Sequence, residues 1–86
     1  MSTLSENVIP SDYGKVFETD ASGDLEIEVV KNAISVIQGI KDVFVSKEDF
    51  PKEITVHTSE VVSIEDIQNQ VIAAGYHVVP RGMFAL

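Results

Sequence analysis

Three carboxylates, Asp20, Asp24 and Glu26, fall within the stretch DASGDLE. Acids so closely spaced are where an oxygen-ligated cation would be sought. Calcium takes roughly six to eight oxygens, so one loop with three side chains would need several waters to complete the shell. The same acids have a simpler use: at a helix start, each stabilises the positive end of the dipole by about 0.3–1 kcal/mol. Helix-start acids are therefore the expected role. Asp20 and Asp24 stand as candidate ligands for a divalent cation, and no other cofactor is expected.

The imidazoles are His57 and His77, and the chain has no cysteine. A thiolate nucleophile, a thiolate metal ligand and a disulfide are all excluded. No serine sits in a Gly-x-Ser-x-Gly elbow, and no nucleophile–base pair can be named, so an enzyme is not expected.

Fourteen acidic residues against six basic ones give a formal net charge of -8 over 86 residues. A field of that sign repels phosphate, which argues against nucleic acid and anionic membrane surfaces and favours a protein partner with a basic surface. The N-terminal stretch MSTLSENVIPSDYG lacks a basic segment followed by an apolar one, so a signal peptide is not expected. No apolar run reaches the roughly 20 residues of a membrane span, and a cytoplasmic protein is the expectation.

The elements that must position these residues follow from hydrophobic period. Residues 15–21 alternate, with Phe17, Thr19 and Ala21 on one face, as a half-buried strand does. Residues 24–38 place Ile27, Val30, Ile34 and Ile37 at helical spacing, with Ser22 or Asp24 as candidate caps and Gly39 as the stop. Residues 40–46 and 52–58 read as strands around the turn SKEDFPK. Ser63-Ile64-Glu65-Asp66 is a capping-box variant that opens a second helix, ended by Gly75, and residues 76–80 form a last strand. The order predicts an α+β fold, a ferredoxin-like βαββαβ sandwich. Its antiparallel sheet has strand order 4-1-3-2 and carries both helices on one face. Residues 1–13 and 82–86 are expected to be tails around a domain over 14–81. In that sheet one strand separates those of His57 and His77, about 10 Å apart, so a shared ion between them is not expected. Phe44, Thr55 and His57 fall on the open face, where Phe44 and His57 form a candidate interaction face.

Three stretches, VVKNAISVIQGIKDVFV, EITVHTSEVVSIEDIQNQV and AAGYHVV, resemble the heavy-metal-associated domain family, the small carriers and modules that pass copper, zinc or mercury ions. The family holds its ion on a Met-x-Cys-x-x-Cys loop after the first strand. By the family's spacing, the Met position falls on Ala21 and the Cys positions on Gly23 and Glu26. The resemblance implies the fold. The soft-metal chemistry it also implies requires two sulfurs near a helix N-terminus, which this chain lacks. The resemblance further implies that Tyr76 packs over the loop near Gly23 and Asp24.

The expected function is a small non-enzymatic module of this type without the thiolate site, working through protein contact. Two alternatives remain: metal binding through Asp, Glu or His ligands, and a small-molecule sensor similar to ACT domains, which share the strand–helix pattern.

Overall fold

Alternation sets the sheet. In β2 (Tyr13–Thr19) the side chains of Phe17 and Thr19 turn inward and are buried, while Val16 and Glu18 turn outward. β4 (Lys52–Thr58) does the same with Ile54, Val56 and Thr58, and β3 (Ile40–Val45) with Val43. The computed structural model describes residues 7–46 and 52–86, so most of the expected turn SKEDFPK lies outside the described residues.

β6 (Val78–Ala85) completes a four-stranded antiparallel sheet in the order β3-β4-β2-β6. Numbered among these four strands alone, that is the expected 4-1-3-2. α1 (Asp24–Ser35) buries Ile27, Val30 and Ile34, and α2 (Ile64–Ala73) buries Ile64, Ile67 and Val71. These residues share one apolar cluster with Phe17, Ile54 and Val56. The fold is the expected α+β, ferredoxin-like sandwich.

The helix ends have local causes. α1 stops at Ser35, short of the expected Gln38, because Ile37 N–H turns to the carbonyl of Ile34 and Ile40 N–H to that of Ile37. Gly39 then takes φ +97°. α2 ends in a Schellman arrangement: Gly75, at φ +99°, donates to Ile72 and Tyr76 donates to Val71. The expected capping box at Ser63 does not form, since its side chain makes no cap hydrogen bond. Ser63 is instead the end of β5 (Val62–Ser63) and pairs with Val8.

That pairing corrects the tail expected over residues 1–13. β1 (Val8–Ile9) is antiparallel to β5, and Ile9 is fully buried. Thr58 fastens the segment that follows: its Oγ1 donates to the Pro10 carbonyl at 2.6 Å and accepts the Tyr13 N–H at 3.3 Å. Residues 1–6 lie outside the described residues.

The expected tail over 82–86 is also corrected. The last strand begins at Val78, not Tyr76, and runs past Pro80 to Ala85, which pairs with Tyr13. A proline is tolerated there because β6 is an edge strand, and the register shifts opposite Val16 and Phe17. Among the described residues, no helix is long and apolar enough to cross a membrane.

Candidate functional site

The loop between β2 and α1 is built by its own side chains. Thr19, buried at the end of β2, donates through Oγ1 to the His77 carbonyl at 2.8 Å and accepts the Ala21 N–H at 3.2 Å. Asp20 accepts the His77 N–H on Oδ1 at 2.9 Å and meets His77 Nδ1 with Oδ2 at 3.2 Å. The start of the loop is thereby clasped to the residue before β6, and Ala21 is folded into the core.

Past Ala21 the chain turns into α1 with Gly23 as the N-cap, not Ser22 or Asp24. Glycine has no side chain to cap with. Glu26, three residues on, reaches back instead: its Oε1 accepts the N–H groups of Ser22 at 3.1 Å and Gly23 at 3.2 Å. This is half of a capping box, the half in which the third helical residue serves the N-cap.

Electrostatics follow the hydrogen bonds. The His77 N–H, and then the His77 ring, hold the Asp20 carboxyl below its ordinary pKa. The amides of Ser22, and then of Gly23, do the same for Glu26, against a smaller opposing effect from the Asp20 charge.

At the two ligand positions given by the resemblance, Gly23 thus offers no donor atom. Glu26 offers a hard oxygen already engaged with two amides. This donor set does not fit Cu(I), which needs soft sulfur. Among the described residues, no group of three or more His, Asp or Glu side chains is arranged to hold a metal ion. The structure brings Asp20 and Glu26 to one loop, each with partners within the protein, and leaves Asp24 exposed in the first turn of α1. Tyr76 is half-buried and packs against the core cluster, and the heavy atoms nearest to where a Gly23 side chain would begin belong to Glu26. A cleft of about 690 Å³ between α1 and β3 is lined by Asp24, Ile27, Glu28, Lys31, Val43 and Lys52 among others.

The two histidines are on opposite business. His77 faces Asp20, whereas His57 lies on the open face of the sheet. There its ring makes edge contacts with Phe44, centroids 5.0 Å apart, and with Phe84 at 6.1 Å. Phe44 and Thr55 are cross-strand partners on that face, as expected. Sequence reasoning missed Phe84, having placed it in a tail, and missed Arg81, which binds Glu18 at 3.0 Å and also Glu53. The Asp20–His77 clasp was missed as well. The adjacency of the first and last strands was its only sequence signal.

No family model matches the sequence, and no curated protein matches it. Among solved structures, the chain is similar to the first domain of the human copper chaperone for SOD1, CCS, in its copper(I)-loaded form. The TM-score is 0.66 at 23% identity, over 81% of this chain and 93% of that one. The chain therefore shares the fold of that copper-chaperone domain.

Proposed function

We propose that this chain is a non-enzymatic module that keeps a metal carrier's frame and works through protein contact, without transferring soft metal. One observation carries the reading: the Glu26 carboxylate sits on the Ser22 and Gly23 amides, in the loop where the family would place two thiolates. A loop satisfied by its own carboxylate has neither the ligands nor the free donors for a cargo ion. The net charge of -8 favours a partner with a basic surface. Within this reading Tyr76 lies over the loop, as its counterpart does in the family.

The oxygen-ligand alternative gains no support from the geometry. Both oxygens of Asp20 face His77, and Glu26 Oε1 is committed to the loop amides. The test is a Cu(I) titration of the purified chain against a coloured chelator, with Ca²⁺, Mg²⁺, Mn²⁺ and Zn²⁺ followed through the Gly23 amide resonance. The expected result is no Cu(I) withdrawn from the chelator and no saturable movement of Gly23. One tightly held ion per chain overturns the reading.

A further inference from the structure

We propose that the open face of the sheet is a docking surface for a polypeptide segment of a partner protein that presents lysine or arginine beside an apolar side chain. The inference rests on the protein-contact reading above and assigns it a place and a chemistry.

A row of cross-strand partners crosses the full width of the sheet on this face, with rings at two of its four positions. Asp42, His57, Gly14 and Phe84 are successive cross-strand partners on β3, β4, β2 and β6. Phe44 leans onto His57 from the next row, where Thr55, Val16 and Gly82 follow it. Gly14 lets the row close: a Cβ there would stand 2.5 Å from Phe84 Cζ and 3.1 Å from His57 Cδ2. The Phe84 ring occupies that space and so reaches His57.

Cross-strand ring contacts stabilise a sheet, yet the outer rings remain open to solvent, Phe44 at 52% and Phe84 at 43% exposure. Val79 on the same face is 60% exposed. The helices lie on the other side, so nothing among the described residues covers these groups.

Charge selects the occupant. The face carries the carboxylates of Asp42, Glu18 and Glu53, and its one guanidinium, Arg81, is already bound to the two glutamates. Single-stranded nucleic acid stacks on aromatic sheets of this kind only where a basic groove tracks its backbone, and here the field has the opposite sign. A second copy would bring another chain of charge -8 against the same carboxylates. A cationic side chain instead meets exposed phenyl faces and nearby acids together, which is the setting for cation–π attraction. Its apolar neighbour covers Val16 and the bare backbone at Gly82.

The test titrates isotope-labelled full chain with an acetylated, amidated peptide of alternating lysine and leucine, and separately with its glutamate–leucine counterpart. The lysine peptide should move the amides of Val16, Phe44, Thr55, His57 and Phe84, more strongly at low salt, and the glutamate peptide should not. Phe44→Ser and Phe84→Ser should each reduce the movement at least threefold while leaving the helix resonances in place. The wild-type shift map stands independently if a variant fails to fold. No movement at millimolar peptide, equal movement with both peptides, or movement confined to residues 20–26 or the helices overturns the proposal. So does a concentration-dependent dimer in sedimentation that moves the same five amides without peptide. The Cu(I) titration is read separately, so loss of this surface and loss of the closed-loop reading are distinct results.

Discussion

The ring of Phe84 fills the space that a side chain on Gly14 would occupy, with Cζ 2.5 Å from the nearest possible Cβ. Gly14→Ala should therefore displace the ring, even though alanine is otherwise worth about 0.5–1 kcal/mol over glycine inside a regular element. The ring is half-exposed and can swing out, so the cost is its contact with His57 and the strand, not a rigid clash. The expected outcome is coupling: neutral or destabilising in wild type, stabilising in a Phe84→Ala background. The interaction should be about 0.5–1.5 kcal/mol in a urea double-mutant cycle.

Glu26 and Asp20 predict how the loop responds to acid. Both carboxyls have folded-state pKa values below their ordinary ones. Their contribution is thus fully present above the ordinary carboxylate range, roughly pH 4–5, and is lost as pH falls through the lower folded values. Asp20 is exposed and Glu26 lies part-exposed at the surface, so the effect on global stability is small and local opening is the better readout. Glu26→Gln should speed amide exchange at Ser22 and Gly23 near neutral pH. Wild type should approach the variant as the buffer is acidified until the Glu26 carboxyl is protonated. Identical exchange at neutral pH would show that the carboxylate does not hold the loop.

Gly39 and Gly75 separate two costs of adding a side chain. Both have positive φ, +97° and +99°. A Cβ on Gly75 meets nothing within 4 Å, whereas one on Gly39 lies 2.8 Å from Val62 Cγ2. Gly75→Ala should cost about 1–2 kcal/mol of backbone strain alone. Gly39→Ala should exceed it by about 1 kcal/mol or more, because Val62 is buried and part of the core. Chemical denaturation of the two variants side by side gives the difference directly.

The order of strands and helices was legible because the chain alternates and repeats cleanly where it is buried: Phe17, Ile54 and Val56 on strands, and Ile27, Val30, Ile34 and Ile67 on helices. Ends were harder. Pro80 reads as a stop, but an edge strand leaves one side of its backbone without partners, and β6 passes through. Val8 and Ile9 make too short a run to show a period, and their pairing with Val62 and Ser63 is a tertiary fact. At the site, the absence of cysteine was plain from the sequence. How the loop is held was not: Glu26 turning back on Gly23, and Asp20 gripping His77 across 57 positions of sequence, need the folded backbone to bring them together.

Ile9 gives the burial of the N-terminal segment a measurable consequence. Its side chain is fully enclosed, beside a strand pairing of only two residues on each side. Ile9→Ala should cost about 2–5 kcal/mol, the range for a buried aliphatic cut back to a methyl group. A tail residue would cost nothing measurable. A urea midpoint unchanged from wild type would place Ile9 outside the core.

The scaffold itself should still accept the chemistry it lacks. Gly23 has an extended backbone, φ -84°, and the atoms nearest to a new Cβ are those of Glu26 at 3.8 Å or more. Gly23→Cys therefore adds no clash, and Glu26→Cys removes the carboxylate that now occupies the loop amides. Together they place two thiols near the start of α1, where the dipole favours thiolate. The double variant should take up one Cu(I) per chain under reducing conditions, and each single variant should lose to the same chelator. Losing the Glu26 half-cap will loosen the metal-free loop, so uptake should be accompanied by recovered protection of the Ser22 and Gly23-position amides. A double variant that folds but leaves Cu(I) with the chelator would mean that this frame does not present the loop in a ligating geometry.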